Sequence, residues 1–301
     1  MLIIGSHVSF GEEQLLLATK QAVSYGANAF MFYTGAPQNT IRRNINNKYL
    51  TEALNLMSEN GIDINNVICH APYIINLATP IEEKRLFSCN FLKKEIARCE
   101  ALGITKIVLH PGSATDYPKS EAISRVVQGL NEVLTEDVNV MILLETMSGK
   151  GSECGNTFEE LKEILDRVEL KEKIGICLDT CHLNDAGYDM NEIDSVLELF
   201  DQIIGIDKIK CIHINDSKNN LGDKKDRHAN FGYGTIGFDT LIKIVYHDKL
   251  KEVPKILETP FTGVSIEDKN RLYPPYKFEI KMIRDKKFNA NLFNDIYNCY
   301  K

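Results

Sequence analysis

Nine residues of types that bind metal ions recur along the sequence, most of them directly after short apolar runs. Six follow such runs at intervals of 34 to 45 residues, namely His70, His110, Glu145, Asp179, His213 and Glu258. Three more come from neighbouring segments, namely His182, Asp226 and His228. Carboxylates at this density repel one another and raise each other's pKa unless divalent cations lie between them. The residue types therefore indicate a metal centre.

The number of donor atoms indicates how many ions this centre would hold. Nine nitrogen and oxygen ligands exceed the four that one tetrahedral ion uses, and they suit two or three ions. Imidazole combined with carboxylate favours Zn²⁺, with Mn²⁺ as an alternative at one site. A carboxylate such as Glu145 would bridge two of the ions. Centres of this kind commonly hydrolyse phosphate esters, because bound ions lower the pKa of water and stabilise the leaving oxygen.

A lone histidine at the end of a strand is more often a structural polar residue than a metal ligand. That interpretation loses weight here, because five of the seven histidines share the predicted face with four acids. Of the other two, His247 lies at a predicted helix end, and His7 is expected either to support the ligands or to be purely structural. Cys177 and Cys181 flank Asp179, and we interpret them as packed thiols, because the ligand set is complete without them.

The elements that must position these residues alternate between strands and helices. Short apolar runs rich in β-branched residues are typical of strands buried on both faces, and they cover residues 2–6, 29–32, 67–69, 106–109, 140–144, 174–178, 210–212 and 254–257. Amphipathic stretches between them predict helices over 12–25, 49–59, 82–101, 119–134, 158–168, 192–203 and 238–246. Eight such units predict an α/β fold, a single (β/α)₈ TIM barrel, whose strand ends meet at one face.

An open doubly wound sheet is the alternative to the barrel. Such a sheet usually carries a glycine-rich first turn, and GSHVSFG after the first run does not match G-x-G-x-x-G. No linker rich in Pro, Gly or Ser divides the chain, so residues 1–301 are expected to form one domain, with about 262–301 as a carboxy-terminal extension. Residues 217–227 form a long polar loop, and such loops inside domains are often functional.

Composition limits the function classes. The balance of 35 Lys and Arg against 42 Asp and Glu gives a net charge of −7, which argues against holding nucleic acid by bulk charge but allows a locally positive metal site.

Hydrophobic residues at 44% and charged residues at 26% are typical of a globular protein and exclude a disordered chain. No run of about 18 apolar residues predicts a membrane span. Eight cysteines without a C-x-x-C pair favour reduced, mostly buried thiols in a cytoplasmic protein.

Seven segments together resemble the endonuclease IV family, the zinc-dependent apurinic/apyrimidinic endonucleases of base-excision repair. They are CHAPYIINLA (69–78), VLHPGS (108–113), LLETMSGKGSECG (143–155), GICLDTCHLNDAGYD (175–189), HINDSK (213–218), DRHANFGYG (226–234) and ILETP (256–260). The match runs in order from GSHVS near the start to PPYKFE near the end, so it covers nearly the whole chain. The segments GICLDTCH and DRH are its most specific parts.

The resemblance implies a role for each of the nine residues. It places His70 and His110 on a first zinc, with Glu145 bridging to a second; the remaining ligands are Asp179, His213 and Glu258 for the second zinc, and His182, Asp226 and His228 for the third. It also implies a monomer that hydrolyses the phosphodiester 5′ to an abasic site in double-stranded DNA. The products would be a 3′-hydroxyl and a 5′-deoxyribose phosphate, and blocked 3′ ends would also be trimmed.

The resemblance further implies residues that contact DNA. Tyr73 matches an aromatic residue that the family places against the DNA, and residues 34–43 match a loop that enters it. Some members carry an arginine where Gln38 aligns, so Gln38 and Asn39 would have to fill that gap. Phosphate contacts are expected from the basic residues of these loops, namely Arg42, Arg43, Lys150, Lys218 and Arg227.

Two other functions fit part of the pattern. A sugar isomerase or epimerase on the same barrel would need one Mn²⁺ held by four of the nine residues, namely Glu145, Asp179, His213 and Glu258. The five remaining donors would have no task there, so three ions per chain favour the nuclease and one ion favours the isomerase. A non-catalytic DNA-binding barrel would be expected to lack ligands and to be more basic.

Overall fold

The computed structural model describes residues 1–265 and 267–301. Its strands are β1 (Ile4–His7), β2 (Ala29–Phe32), β3 (Val67–His70), β4 (Lys106–Leu109), β5 (Met141–Glu145), β6 (Ile174–Asp179), β7 (Ile209–His213), β8 (Asp216–Ser217), β9 (His228–Ala229) and β10 (Lys255–Leu257). Its helices are α1 (Leu15–Ser24), α2 (Asn47–Glu59), α3 (Glu82–Leu102), α4 (Lys119–Val133), α5 (Phe158–Arg167), α6 (Thr180–Ala186), α7 (Ile193–Ile203), α8 (Phe238–Val245), α9 (Tyr276–Asp285) and α10 (Leu292–Tyr300).

Eight of these strands pair in parallel and close a barrel in the order β1-β10-β7-β6-β5-β4-β3-β2. Helices lie between successive strands, so the predicted (β/α)₈ TIM barrel is confirmed. The two short strands β8 and β9 pair antiparallel, outside the barrel. At Gly5 a Cβ would lie 1.6 Å from the carbonyl oxygen of Ala29, so the close approach of β1 and β2 requires glycine.

Every second side chain along a strand points into the barrel and fills its interior. The inward-facing cluster consists of Ala29, Met31, Ile68, Val108, Leu143, Cys177, Cys211 and Ile256. The alternate residues, such as Phe30 and Leu144, point outward and pack in the larger core under the helices. This period of two follows from strand geometry, and it fixes which residues can reach the mouth of the barrel.

Local sequence signals set several helix ends. Thr157 caps α5 by accepting the backbone N–H of Glu160 at 3.2 Å, which is the T-x-x-E pattern of a capping box. Helix α3 ends at Gly103, whose φ of 75° is a left-handed conformation that glycine adopts readily.

None of the helices in the described part of the chain combines the length and the apolar sequence that a bilayer crossing needs. Seven of the eight cysteines are buried free thiols and Cys299 is an exposed one.

Helix α9 lies in the segment that the sequence marked as an extension, of which residue 266 lies outside the described residues. It follows β10 in the chain and packs against β1. Its Glu279 is fully buried, and one carboxylate oxygen accepts hydrogen bonds from Asn230 Nδ2 at 3.1 Å and from the N–H of Phe231 at 3.0 Å. The other oxygen accepts the hydroxyl of Thr259. The helix therefore supports the two loops that follow β9 and β10.

The buried carboxyl of Glu279 predicts a pH dependence of stability. Burial raises its pKa to about 7, and this outweighs the three hydrogen bonds that lower it. The pKa of Glu279 is higher in the folded protein than in the unfolded chain. The contribution of this group to the free energy of unfolding is therefore fully present below about pH 4.5 and is lost as pH rises through 7, by roughly 3 kcal/mol at most. We expect Glu279→Gln to lack this loss, so that the variant gains stability relative to the wild type between pH 5 and 8, as measured by urea unfolding at fixed metal concentration. Groups common to both proteins cancel in this comparison, and a constant difference across the pH range would contradict the prediction.

Candidate metal centre

The mouth of the barrel collects six of the nine predicted ligands because each lies two residues beyond an inward-facing core residue. His70 follows Ile68, and His110 follows Val108 in the same way. The same spacing holds for the pairs Leu143 and Glu145, Cys177 and Asp179, Cys211 and His213, and Ile256 and Glu258. Since the strands are parallel, all six side chains point into the barrel at its carboxyl end.

The other three ligands come from the elements that follow β6 and β7. The carboxylate of Asp179 accepts the N–H of His182 at 2.8 Å, so Asp179 is both a predicted ligand and the residue that caps α6. This cap places His182 on the first turn of the helix, beside the barrel mouth. Asp226 and His228 lie at the end of the long loop between β8 and β9. The structure thus brings all nine predicted ligands together.

Glu145 lies at the centre of this group, and its two carboxylate oxygens face different histidines. Its Oε2 is 3.2 Å from His70 Nε2 and 3.0 Å from His110 Nε2. Its Oε1 is 2.9 Å from His213 Nδ1 and 3.3 Å from His182 Nδ1. A carboxylate whose oxygens point to two separate sets of donors has the arrangement that a bridging ligand needs.

The remaining distances complete two further groups. His213 Nδ1 is 3.0 Å from Glu258 Oε2 and 3.8 Å from Asp179 Oδ2. On the other side, Asp226 Oδ1 is 3.1 Å from His182 Nε2. The donors form three groups, and within each group the donor atoms lie within 4.8 Å of one another. The first group is His70, His110 and Glu145, the second is Glu145, Asp179, His213 and Glu258, and the third is His182, Asp226 and His228. Thiols also come close, with Cys177 and Cys211 near His213 and Cys181 near Asp179 and His228.

The electrostatics of the group favour charged carboxylates. Burial raises the pKa of Glu145, but the neighbouring His213 and His110 outweigh it and hold that pKa well below its ordinary value. The same balance, between burial and His213, lowers the pKa of Glu258. Burial lowers the pKa of His182, whereas Asp179 and the other neighbouring carboxylates raise it further, so that it lies well above the ordinary value. Glu145 and Glu258 are therefore charged at neutral pH, as carboxylates must be when they bind a metal ion.

This donor set fits divalent cations. Imidazole nitrogens and carboxylate oxygens are ligands that Zn²⁺ and Mn²⁺ accept. His228 Nε2, which lies 3.6 Å from Asp226 Oδ1 in the third group, is buried and has no hydrogen-bond partner among the described residues. A buried nitrogen without a partner costs free energy, and coordination would offset that cost.

Residues behind the ligands fix their orientation, and the sequence reasoning missed them. Asn215 Nδ2 donates to Asp179 Oδ2 at 2.7 Å, and its Oδ1 accepts the N–H of Glu258 at 2.8 Å. Thr146 accepts the N–H of Asp179 through its hydroxyl at 2.9 Å, and its carbonyl oxygen lies 2.9 Å from His182 Nδ1. Asn215 follows His213 by two residues, so the period of two was the signal that could have found it. Such supporting contacts commonly tune metal affinity.

The predicted DNA-contact residues lie on loops that follow barrel strands, at the same face as the metal centre. Tyr73 is exposed and lines a cleft of about 160 Å³ together with His110, Asn76 and Glu153. Asn39 is half-buried, and the other side chains, except for Arg42, are exposed: Gln38, Arg43, Lys150, Lys218 and Arg227. The cleft borders the proposed ligands directly through His110.

Arg42 is placed differently from the predicted phosphate contact. Its Nε lies 2.7 Å from Glu95 Oε1, and both side chains are buried, with 8% and 0% of their surface exposed. Its Nη1 donates to backbone carbonyls of its own loop, at Ile41, Asn39 and Ala36. A buried carboxylate on α3 needs a compensating charge, and Arg42 supplies it by turning inward. This corrects the prediction: Arg42 holds residues 34–43 against α3, and Arg43 is the exposed arginine of the pair.

Comparisons with known proteins agree with this architecture. A family profile described as "Xylose isomerase-like TIM barrel" matches residues 19–284. The "Probable endonuclease 4" of Acholeplasma laidlawii is 51% identical over 296 residues, covering 97% of this chain and 98% of that protein. The one of Bacillus subtilis is 51% identical over 299 residues, covering 98% and 99%.

Two solved structures share the fold of this chain. The crystal structure of endonuclease IV from Thermus thermophilus superposes with a TM-score of 0.78 at 26% identity, covering 94% of this chain and 97% of that one. A D-tagatose 3-epimerase-like protein superposes with a TM-score of 0.65 at 21% identity, covering 99% of this chain and 100% of that one. The second likeness shows the fold alone.

Replacing Arg42 by methionine is expected to destabilise the protein by about 3–5 kcal/mol, because Glu95 would be left as a buried charge without a partner. Arg43→Met is the matched control, since that side chain is 65% exposed and should change stability by no more than about 0.5 kcal/mol. Urea unfolding of both variants measures the difference. Equal losses in the two variants would mean that the ion pair with Glu95 does not hold the loop.

Proposed function

Because the chain belongs to the endonuclease IV family, we propose that it is a DNA-repair endonuclease that hydrolyses the phosphodiester 5′ to abasic sites in duplex DNA. The products are a 3′-hydroxyl and a 5′-deoxyribose phosphate, and the same centre trims blocked 3′ ends. The observation that carries the proposal is the convergence of nine donor residues around Glu145, in three groups. We place the enzyme in the cytoplasm, where its buried free thiols would stay reduced.

The three groups would each hold one divalent ion, Zn²⁺ in preference to Mn²⁺. Glu145 would be shared by the first two groups, since each of its oxygens faces one of them. The ions would supply activation of water and stabilisation of negative charge on the phosphate and on the leaving oxygen. All nine ligand roles are proposed on this basis, and Glu145 is the residue on which the reaction depends most.

The protein's own residues hold this arrangement in place before substrate arrives. Asn215 hydrogen-bonds the Asp179 carboxylate, and Thr146 contacts the backbone of Asp179 and the ring of His182. These contacts fix the orientation of both ligands, so little rearrangement is needed during the reaction. The low pKa of Glu145 keeps its carboxylate charged at neutral pH. Each of these features supports binding of cations rather than proton transfer by the carboxylates themselves.

Recognition of the lesion is proposed for the cleft beside the centre. Tyr73 borders this cleft from an exposed position, where its ring can contact DNA while an abasic sugar enters. Turning a nucleotide out of the duplex costs the least free energy where no base is stacked or paired, and this difference by itself favours abasic sites. Gln38 and Asn39 would fill the gap in the DNA, and phosphate contacts would come from Arg43, Lys150, Lys218 and Arg227.

The alternative of a one-metal sugar isomerase or epimerase accounts for only part of the centre. Structural neighbours named as epimerases or epimerase-like proteins share the barrel at identities of 21% or less, and a shared barrel does not define function. Five donors would have no task at a single ion, namely His70, His110, His182, Asp226 and His228. Their positions within the groups described above favour the nuclease.

Glu145→Gln is expected to reduce incision of a duplex with one synthetic abasic site by about 10³-fold or more, a loss of about 4 kcal/mol in transition-state stabilisation. The amide keeps the shape of the side chain but lacks the second charged oxygen that bridging requires. Circular dichroism should show an unchanged fold. The control is Glu159→Gln, an exposed residue of α5, which should incise like the wild type. Wild-type turnover by Glu145→Gln would remove the bridging role.

Metal analysis and chelation test the number of ions. We expect three divalent ions per chain by mass spectrometry of digested protein, and prolonged incubation with a strong zinc chelator should stop incision. Re-addition of Zn²⁺ should restore it, which controls for irreversible unfolding. One ion per chain would favour the isomerase, and persistent incision by fully stripped protein would contradict a metal-dependent reaction.

A further inference from the structure

The loop formed by residues 217–228 carries two of the three ligands in the third group. Asp226 and Lys224 in this loop adopt positive φ angles of 57° and 55°, which side-chain-bearing residues seldom adopt. A polar loop of this length loses conformational entropy when it is ordered. Something in the protein must therefore hold the loop in this conformation if Asp226 and His228 are to face the barrel mouth.

The carboxylate of Asp185 contacts this loop at three points. Asp185 lies on α6 and is fully buried. Its Oδ1 accepts the hydroxyl of Ser217 at 2.7 Å. Its Oδ2 accepts Asn219 Nδ2 at 2.6 Å and the backbone N–H of Asp226 at 2.8 Å. One buried carboxylate thus contacts the loop at its beginning and again at the predicted ligand.

Backbone contacts strengthen the same connection. The N–H of Lys224 donates to the carbonyl oxygen of Asp185 at 3.0 Å, and the N–H of Gly222 donates to that of Asn184 at 2.9 Å. The end of α6 therefore lies along the middle of the loop. Because His182 is three residues before Asp185 on this helix, one short rigid element carries a ligand and also orients the other two.

The direction of Asp226 follows from this contact. Its backbone N–H is fixed on Asp185, and its side chain then reaches His182 Nε2 at 3.1 Å and lies 3.6 Å from His228 Nε2. Without the carboxylate, the left-handed conformation at Asp226 would lose the hydrogen bond that compensates for its strain. The loop would then be free to swing away from His182.

We propose that Asp185 is a positioning residue for the third metal ion, acting through the loop 217–228 and the backbone of Asp226. The inference rests on the proposed three-ion centre, and it assigns Asp185 no contact with the ion or with DNA. Supporting residues of this kind typically change metal affinity by 10- to 100-fold when they are replaced.

The test is Asp185→Asn, titrated with Zn²⁺ against a chromophoric chelator and compared with the wild type. The amide is close in size but has one acceptor oxygen in place of two, so it cannot accept from Ser217 on one side and from Asn219 and Asp226 on the other at the same time. We expect the affinity for one of the three ions to fall by about 10- to 100-fold, with the other two unchanged. The matched control is Asp223→Asn in the same loop, whose carboxylate accepts the N–H of Asn220 at 3.1 Å and should leave all three affinities unchanged.

The outcomes separate this proposal from the proposed function. Three ions in the wild type with unchanged affinities in Asp185→Asn would overturn the positioning role and leave the nuclease proposal intact. Parallel loss of all three ions together with a lower melting temperature would show a merely structural role and would also overturn it. Fewer than three ions in the wild type would overturn both.

Hydrogen exchange in the wild-type chain tests the same contact if Asp185→Asn does not fold. In metal-stripped protein the amide hydrogen of Asp226 should exchange slowly with solvent, because it is already donated to Asp185. The backbone N–H of Arg227 has no such acceptor on Asp185 and provides the internal comparison. Rapid exchange at Asp226 in the folded, metal-free protein would mean that the ion, and not Asp185, orders the loop.

Discussion

A single buried carboxylate, Glu145, faces four imidazole rings at distances of 2.9 to 3.3 Å, and the rest of the site is arranged around it. Burying this charge in the barrel would be costly without partners. The strand ends supply three of those partners at fixed positions, because every second residue points into the barrel and all strands end at the same face, and the first turn of α6 supplies the fourth, His182. The period of two that fills the barrel interior with Val108, Leu143 and Ile256 therefore also determines which residues surround Glu145.

The charge distribution separates the site from the rest of the surface. A chain with a net charge of −7 repels DNA at long range, so affinity for a phosphate backbone must come from local features. Three divalent ions would add six positive charges at the face where Lys150, Lys218 and Arg227 also lie. On this account the protein would bind DNA weakly away from this face, and the metal centre would contribute both to catalysis and to recognition.

The same barrel supports epimerases among its structural neighbours, and the difference in proposed function comes from the elements around the barrel mouth. Four of the donors could serve one ion in either class. The surplus donors come from β3, from the residue after β4, from the first turn of α6 and from the loop that ends at β9. The additional chemistry is thus carried by strand ends and loops, while the barrel supplies rigidity and convergence.

The sequence by itself determined the barrel and the convergence of the six donors at the strand ends, because strand periodicity and the parallel sense of β/α units are local properties that repeat along the chain. It also indicated the family through segments such as GICLDTCH and DRH. Only the tertiary structure decided which polar residues pair with which. Arg42 turns inward to Glu95, which lies 53 residues away in the chain, and Glu279 joins the loops after β9 and β10. Asp185 reaches Asp226 across 41 residues, and the physical reason is the same in each case: a buried charge must find its partners in space, and no local pattern states where they will be.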